Sequence, residues 1–392
     1  MTTIDRARNL FNDRLGRQRR ARTPLAGYMR QRAVATSRHD WKPLLDSVLA
    51  PVSGELTRVD QLIAAQMVPA NPAVRDAAGH ICNASGKALR PATVLWSARL
   101  GGGVTPTVVK AAAIVELMHV ATLHHDDVID DAATRRGVAS VNAHWGNTIA
   151  ILSGDFLLAA ATRLAAEVDE EVAENRSGGR SGLGKGVATT LLALVDGQVA
   201  ELDRLYDLRR SEDEYLASIR GKTAALFRLA SHVGAVVGGA DERTCRAAGA
   251  FGESFGMGFQ IADDLLDIRA TSAEIGKPAC NDIRQGVYTL PVLAALRRSP
   301  SLAAELTADR PDYAVIRQIV IDSGGYDDAV QVAGRWFDKA AAALDAFRCE
   351  AADALLDMTQ SVFARISGDA ASHGVPEELG IIDITRPQLA HR

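Results

Sequence analysis

A cluster of aspartates downstream of a histidine is the first feature of this sequence that could do chemistry. The run from residue 116 to residue 137 reads ELMHVATLHHDDVIDDAATRRG. In a helix of about 3.6 residues per turn, His119, Asp126 and Asp130 recur at i, i+7 and i+11 on one face, with Asp127 beside them. Neighbouring carboxylates repel each other unless a cation lies between them, and hard oxygen ligands of this kind suit Mg²⁺. The run therefore predicts a divalent-metal site.

Two arginines directly after this cluster extend the prediction to phosphate. Arg135 and Arg136 carry planar guanidinium groups, which can bind the oxygens of a phosphate that also ligates the metal. A single cluster leaves two other interpretations open. It could be a solvated acidic helix end followed by a basic loop, or His125 and Asp126 could bind the metal of a phosphohydrolase.

A second acidic cluster in the sequence decides between these interpretations. The run from residue 251 to residue 268 reads FGESFGMGFQIADDLLDI and places Gln260, Asp263 and Asp267 at i, i+3 and i+7, with Asp264 alongside. An otherwise apolar helix is an expensive place for unpaired carboxylates, so a solvated face does not explain them. Two such clusters, if their helices face each other, predict a site for metal ions and a multiply charged anion such as diphosphate.

Basic segments elsewhere in the sequence could contact the same anion. The segment NASGKALRP places Lys87 and Arg90 before a helix start, and GKTAALF places Lys222 and Thr223 at the beginning of an apolar helix. Lys277 follows the second cluster in GKPACNDIRQGVYTLP. Alone, Lys87 and Arg90 are better explained as ordinary surface charge, and Lys222 and Thr223 could simply begin a helix. These segments therefore gain meaning only from the two acidic clusters.

The elements that must position these residues are predicted to be helices. From about Trp41 to residue 370, long segments rich in Ala, Leu, Val and Ile recur at helical spacing with Gly and Pro between them, and signals for strands are sparse. We therefore expect an all-α domain over residues 41–392. Residues 1–40 are rich in arginine and are predicted to form a disordered extension, with peripheral association with an anionic membrane as the alternative.

Composition excludes several classes of function. A net charge of -4 and an isoelectric point near 6.2 argue against a nucleic-acid-binding protein. The four cysteines, Cys82, Cys245, Cys280 and Cys349, form no CxxC pair, so neither a zinc site nor a disulfide framework is expected. The sequence shows no secretory signal and no apolar run that we interpret as a membrane span, and we expect a cytoplasmic location.

The motifs in their order resemble those of the trans-isoprenyl diphosphate synthases, most closely the bacterial medium- and long-chain polyprenyl diphosphate synthases. The resemblance rests on GKALRP, HDDVID with RRG, WGNTIAILSGDFLL, GKTAALF, FGMGFQIADDLLD and GKPACNDIRQGVYTLP, and it extends from about Trp41 to residue 370. It implies an isoprenoid synthase-type fold, a bundle of antiparallel helices around a deep apolar cavity. It further implies a homodimer, with the two acidic clusters facing each other at the mouth of the cavity.

The resemblance also assigns roles to individual residues. It implies that Mg²⁺ is bound by Asp126, Asp130 and Asp263, with Asp127, Asp264 and Asp267 nearby. The residues that it implies for the allylic diphosphate are Lys222, Thr223, Gln260, Arg135 and Lys277. Those for isopentenyl diphosphate are Lys87, Arg90, His119 and Arg136. Ala121, five residues before the first aspartate, matches a position that limits product length, and its small size predicts a product longer than C15.

The predicted function is the condensation of isopentenyl diphosphate with an allylic diphosphate to give an all-trans polyprenyl diphosphate, with C35 to C50 favoured and C20 as an alternative. A class I terpene cyclase is the main competing hypothesis, but it would not need the second diphosphate site that Lys87, Arg90 and His119 form in the resemblance. A non-catalytic partner subunit would be expected to have lost aspartates, whereas all six positions are intact.

Overall fold

The structure is a computed structural model that describes residues 42–68, 70–83, 88–175, 181–269 and 280–367. The predicted extension over residues 1–40 lies outside the described residues, as do Lys87 and Lys277. Within the described residues, nearly every element is helical, which confirms the prediction of an all-α fold.

The helices of the first half of the chain are α1 (Lys42–Leu49), a 3₁₀ turn (Ala50–Val52), α2 (Ser53–Met67), α3 (Pro72–Asn83), α4 (Leu89–Ala98), α5 (Pro106–Ile129), α6 (Val141–Trp145), α7 (Asn147–Asn175) and α8 (Leu183–Leu202). Those of the second half are α9 (Glu212–Ile219), α10 (Ala225–Val237), α11 (Glu242–Arg269), α12 (Asn281–Arg284), α13 (Leu290–Leu296), α14 (Pro300–Leu306), α15 (Tyr313–Asp322), α16 (Gly325–Ala343) and α17 (Glu350–Ile366). A π-helical turn, Arg220–Ala224, joins α9 to α10.

The contacts divide the described chain into two compact units. The amino-terminal unit contains residues 49–191 and 229–249, and the carboxyl-terminal unit contains residues 42–48, 192–228, 250–269 and 280–367, apart from the residues that the structure does not describe. The first acidic cluster therefore lies in the amino-terminal unit, and the second lies in the carboxyl-terminal unit.

Helix α5 is the central element of the amino-terminal unit. It begins where the Thr105 side chain accepts a hydrogen bond from the backbone of Val108, with Pro106 in the first turn. Most of its side chains are buried all round the helix, and it packs mainly against α7, α4 and α2. A helix that is apolar on every side is expected at the centre of a packed unit. This burial fixes where the aspartates at its carboxyl end must lie.

An aromatic cluster forms the core of the carboxyl-terminal unit. Phe227, Phe255 and Phe259 lie with ring centroids 5.0 to 6.0 Å apart, and Phe337 lies 6.4 Å from Phe255. Gly258 of α11 lies directly against the Phe337 ring. A Cβ atom at position 258 would lie 2.5 Å from a carbon atom of this ring, so a larger residue there would displace the ring. The cluster therefore anchors α11, which carries the second set of aspartates, against α10 and α16.

Two local features differ from the sequence-based expectation. Residues Thr134–Arg135 and Val138–Ala139 form a short antiparallel hairpin, β1 and β2, where we expected only a basic loop. Helix α7 also runs without a break through Gly154 and Asp155, although these two residues within an apolar segment predict an interruption from the sequence. Tertiary contacts of both segments, described below, override their local signals.

Two helices in the described part of the chain, α5 and α7, are long and apolar enough to cross a membrane by length and composition alone. The sequence-based reading did not identify either as a candidate span. The apolar window of α5 is 67% buried and that of α7 is 44% buried within the chain. This criterion is weak, because the core helix of a soluble protein meets it as well.

Candidate active site

The first aspartate cluster lies at the carboxyl end of α5, where Asp130 is the capping residue. The exposed carbonyl groups at such an end carry partial negative charge, which disfavours further anions. Asp127 is fully buried, and Arg135 of β1 binds its Oδ1 atom through Nε at 2.7 Å and Nη2 at 2.5 Å. The two carboxylates that the sequence places on the metal face, Asp126 and Asp130, are more accessible than Asp127.

The hairpin after this cluster holds the two arginines in different environments. Arg136 and Gly137 form the two-residue turn, and both have positive φ, 53° and 78°. This conformation is typical of a type I′ turn, in which a non-glycine residue is uncommon. The Nη1 atom of Arg136 donates a hydrogen bond to the backbone carbonyl of Ile81 on α3 at 3.3 Å. The hairpin therefore places the Arg135 side chain against Asp127 and the Arg136 side chain against α3.

His119 and Arg90 lie together, as the predicted isopentenyl diphosphate site requires. The Nη1 atom of Arg90 lies 3.1 Å from Nε2 of His119, which must act as the acceptor because a guanidinium has only donors. Burial, followed by the charges of Arg90, Arg136 and Arg135, holds the pKa of His119 well below its usual range. The imidazole is therefore neutral at pH 7, and it orients Arg90 without adding positive charge.

Two further histidines precede the first aspartates. His124 is fully buried and contacts the Ser153 hydroxyl of α7 through Nδ1 at 2.8 Å. The neighbouring His125 ring lies against Gly154, where a Cβ would overlap it, and its Nε2 atom is 3.3 Å from Asp155. Gly154 therefore provides space for the His125 ring, and Asp155 places a carboxylate beside it.

The second cluster on α11 repeats the division seen in the first. Asp263 is exposed, whereas Asp264 is 4% exposed. The Tyr215 hydroxyl donates to Oδ2 of Asp264 at 2.5 Å, and Nε2 of Gln260 donates to Oδ1 at 2.8 Å. Burial raises the pKa of Asp264, and these two donated hydrogen bonds oppose that rise. Oε1 of Gln260 accepts a hydrogen bond from Thr223 at 2.6 Å.

The third aspartate of this cluster organises the next described segment. Asp267 accepts hydrogen bonds from the backbone N–H groups of Asn281 and Asp282 at 3.1 and 3.2 Å. Burial, together with the negative charges of Asp267 and Asp264, raises the pKa of Asp282 well above its usual value. Carboxylates that are close enough to shift one of their number toward the neutral form repel each other, and a bound cation would relieve this repulsion.

Lys222 is placed by an unusual piece of backbone. It lies in the π-helical turn, and irregular turns of this kind are frequent at functional sites. Gly197 of α8 and Gly221 meet there, with no space for a Cβ on either residue. This approach brings Lys222 to Glu201, and its Nζ atom lies 2.5 Å from Oε1 of Glu201. A cation within a carboxylate-rich region is thereby held next to Thr223.

The chemistry of these donors fits a hard divalent ion. Among the described residues, no group of three or more His, Cys, Asp or Glu side chains forms a metal site by itself. Magnesium typically takes one or two protein carboxylates and completes its shell with water and phosphate oxygens, so it does not require a closed protein site. Aspartates at a helix end and in an acidic cluster suit such binding, whereas a zinc site would require a nearly complete set of protein ligands.

The structure describes most of the predicted site residues, and they are divided between the two compact units. The amino-terminal unit holds Arg90, His119, Ala121, Asp126, Asp127, Asp130, Arg135 and Arg136. The carboxyl-terminal unit holds Lys222, Thr223, Gln260, Asp263, Asp264 and Asp267. Ala121 is fully buried on α5. Cys82, Cys245, Cys280 and Cys349, all within the described residues, form no disulfide bond.

Sequence reasoning missed several residues that hold these groups. Glu201, Tyr215 and Asp155 bind Lys222, Asp264 and His125, respectively. The only available signal was Asp155 within an otherwise apolar helix, which we attributed to an interruption of that helix. Tyr215 lies in an unremarkable amphipathic segment, and its pairing across 49 residues of sequence leaves no local pattern.

An all-α fold with an Asp-Asp-x-x-Asp motif in each compact unit defines an isoprenoid synthase-type protein, and comparisons with known proteins identify the family. The polyprenyl synthetase family model matches residues 71–320. A nonaprenyl diphosphate synthase of Mycobacterium tuberculosis is 38% identical over 260 residues, which are 66% of this chain and 74% of that protein. Heptaprenyl diphosphate synthase component 2 of Geobacillus stearothermophilus is 33% identical over 317 residues, 80% of this chain and 96% of that protein.

A solved structure supports the same conclusion. The crystal structure of a polyprenyl synthase from Caulobacter crescentus, complexed with calcium and isoprenyl diphosphate, matches with a TM-score of 0.74 at 34% identity. The match covers 82% of this chain and 98% of that one. The chain therefore belongs to the polyprenyl synthetase family, and it is an enzyme of the prenyltransferase class. This result confirms the resemblance that the motifs indicated.

The burial of His124 predicts a pH dependence of stability. Burial, with the neighbouring His125 and His80, lowers the pKa of His124 from 6.5 to about 4. Between these values the unfolded chain binds a proton that the folded chain does not, so the free energy of unfolding falls as the pH falls from 6.5 toward 4. The expected contribution is about 1.4 kcal/mol for each pH unit.

Urea unfolding at several pH values, in EDTA, measures this contribution by comparing the wild type with His124→Gln. The variant should lose less stability on acidification than the wild type, because glutamine does not titrate. Equal slopes for the two proteins between pH 6.5 and pH 4.5 would show that His124 is not held neutral in the folded chain.

Proposed function

We propose that this enzyme condenses isopentenyl diphosphate with an allylic diphosphate and releases an all-trans polyprenyl diphosphate in the C35 to C50 range. The observation that carries the proposal is the group formed by Lys222, Thr223 and Gln260 next to Asp263, within a chain of this family. A cation, a hydroxyl and an amide beside a metal-type carboxylate match the donors that a diphosphate requires. The relatives named nonaprenyl and heptaprenyl diphosphate synthase support this product range.

In this proposal, residues of the carboxyl-terminal unit bind the allylic diphosphate. The Lys222 ammonium group, now held by Glu201, binds phosphate oxygens, and Gln260 offers an amide N–H whose orientation is fixed by Thr223 and Asp264. Arg135 and Lys277 are assigned to the same substrate by family resemblance. These donors stabilise the negative charge that the diphosphate gains when the allylic C–O bond ionises, which lowers the barrier to forming an allylic cation.

Residues of the amino-terminal unit bind isopentenyl diphosphate in the same proposal. Arg90, oriented by neutral His119, and Arg136 on the strained hairpin turn supply guanidinium groups for its phosphates. Lys87 is assigned to this site by resemblance. The double bond of isopentenyl diphosphate then attacks the allylic cation to form the new C–C bond. The released diphosphate takes up the proton that is lost, which restores an alkene in a chain five carbons longer. No protein nucleophile takes part in these reaction steps, so binding and orientation of the substrates are the main contributions of these side chains.

We assign magnesium to Asp126, Asp130 and Asp263, with Asp127, Asp264 and Asp267 as supporting carboxylates. When bound, the metal ions neutralise part of the diphosphate charge and so make it a better leaving group. The calcium in the Caulobacter crescentus complex supports the use of a divalent ion by a relative. The chain itself contributes carboxylates whose neighbours, Arg135 and Tyr215, fix their positions.

We also propose that the enzyme acts as a homodimer in the cytoplasm. An apolar stripe on α8, formed by Leu192, Val195, Val199 and Leu202, is 39% to 68% exposed, and an exposed stripe of this kind is typical of a protein interface. The relative named component 2 supports a separate partner subunit as the alternative occupant of this surface. Light scattering of the purified protein, alone and after Val195→Glu, distinguishes a dimer from a monomer.

Incubation with labelled isopentenyl diphosphate, Mg²⁺ and, separately, C5, C10, C15 and C20 allylic primers tests the proposed reaction. We expect a ladder of products that ends between C35 and C50 and that requires both substrates. A hydrocarbon or alcohol formed from the allylic diphosphate alone, without incorporation of isopentenyl diphosphate, would replace this proposal with a terpene cyclase.

Enlarging Ala121 should shorten the product. Because Ala121 is fully buried on α5, five residues before Asp126, a phenylalanine there should obstruct the growing chain, and Ala121→Phe should end the ladder at C20 or below. Overpacking alone costs about 1–3 kcal/mol of stability, so a control is needed. Ala112 is equally buried and lies nine residues earlier, on the opposite side of the helix.

Chain-length analysis of both variants separates the two effects. Ala112→Phe should lower the thermal midpoint without shortening the product. An unchanged C35 to C50 ladder from a folded Ala121→Phe variant would refute the assignment of Ala121 as a length-limiting residue.

A further inference from the structure

A buried line of hydrogen bonds connects Tyr215 to the proposed allylic site. Tyr215 of α9 is 1% exposed, and its hydroxyl donates to Oδ2 of Asp264 at 2.5 Å. Tyr215 lies outside the sequence motifs, and the proposed function uses it only to fix the position of Asp264. A buried tyrosine hydroxyl normally has a hydrogen-bond partner. In this case the partner, Asp264, belongs to the acidic cluster to which we assign metal and diphosphate binding.

The other oxygen of Asp264 continues the line toward the substrate residues. Oδ1 accepts a hydrogen bond from Nε2 of Gln260 at 2.8 Å, and Oε1 of Gln260 accepts one from Thr223 at 2.6 Å. Asp264 thus has one oxygen for Tyr215 and one for Gln260. Since the carbonyl oxygen and the amino group of Gln260 both form hydrogen bonds, the orientation of the amide is fixed. The direction of the second N–H bond of Nε2 is fixed with it.

The ring of Tyr215 is itself held in place by a buried cation. Arg210 is 4% exposed, and its guanidinium carbon lies 5.5 Å from the centroid of the Tyr215 ring. Nη2 of Arg210 donates to Ser218 at 2.6 Å, and Nη1 donates to the carbonyl of Tyr288 at 3.3 Å. Contacts from α9 and from the segment before α13 therefore fix Arg210, and with it one face of the tyrosine ring.

From this geometry we infer that Tyr215 is a positioning residue for the allylic diphosphate and acts through Asp264 on the Gln260 amide. Without the Tyr215 hydroxyl, Asp264 loses its second anchor and can rotate away from Gln260. The amide then loses the acceptor that distinguishes its N–H end from its carbonyl end. A carbonyl oxygen turned toward a diphosphate repels it, whereas an N–H attracts it. This inference rests on the proposed function, because it assigns a role within the same site.

Tyr215→Phe removes the hydroxyl and retains the ring, so it tests this inference with the smallest change. Isothermal titration calorimetry in Mg²⁺ with the S-thiolo analogue of a C15 allylic diphosphate, which does not ionise, measures binding without turnover. We expect binding about tenfold weaker than in the wild type, as is typical when a residue that orients a ligand-binding group is removed. The KM for the allylic primer should rise, and the KM for isopentenyl diphosphate should stay unchanged.

Tyr326→Phe is the matched control. Tyr326 is also 1% exposed in the carboxyl-terminal unit, and its hydroxyl donates a hydrogen bond to the backbone carbonyl of Ile366 at 3.3 Å rather than to an aspartate of the second cluster. This variant removes one buried tyrosine hydroxyl of the same kind, so any purely structural effect should appear in both. We expect binding of the analogue to Tyr326→Phe to match the wild type.

A double-mutant cycle with Asp264→Asn tests the route through Asp264. If Tyr215 acts through that carboxylate, Tyr215→Phe should have little further effect in the Asp264→Asn background. An equal loss of binding in both backgrounds, or wild-type binding by Tyr215→Phe, would overturn the inference while leaving the proposed function intact. A wild-type enzyme that neither binds the analogue nor incorporates isopentenyl diphosphate would overturn the proposed function, and the inference with it.

Discussion

Burial of one carboxylate from each aspartate pair is the constraint on which the site depends. Asp127 and Asp264 are 0% and 4% exposed, and a carboxylate held away from water is costly unless other groups compensate it. The two units meet this requirement in different ways. Arg135 brings a full positive charge to Asp127, whereas Tyr215 and Gln260 bring neutral donors to Asp264. Removing either set of donors would raise the cost of burying that carboxyl group, so local folding and site geometry depend on the same contacts.

In each aspartate pair, the buried residue fixes the position of the accessible one. Asp126 and Asp263 are each the direct sequence neighbour of an anchored residue, so their backbone positions are fixed although their side chains remain accessible. Gln260 is ordered by the same anchoring. The residues proposed to meet metal and diphosphate are therefore preorganised by an inner set of contacts, which reduces the rearrangement that binding requires.

The sequence was sufficient to predict the fold class, and it supplied the candidate residues of the site. Helical periodicity predicted the all-α fold, and the spacing of Asp126 and Asp263 from their neighbours identified both clusters. Long-range partners could not be predicted in this way. The pairing of Glu201 with Lys222 depends on two glycines that let α8 approach the π-helical turn, and Tyr215 reaches Asp264 across 49 residues. The hairpin at Arg135 was missed because its two-residue strands are too short for a periodic signal.

Calorimetric titration of the metal-free protein with Mg²⁺, without and with inorganic diphosphate, tests the central claim most directly. In our account the carboxylates supply only part of the magnesium shell, and phosphate oxygens supply the rest. Binding of Mg²⁺ should therefore be weak alone and much tighter with diphosphate, and it should weaken on substitution of Asp126 or Asp263 by asparagine. Tight binding of Mg²⁺ that is unaffected by diphosphate or by these substitutions would contradict the account.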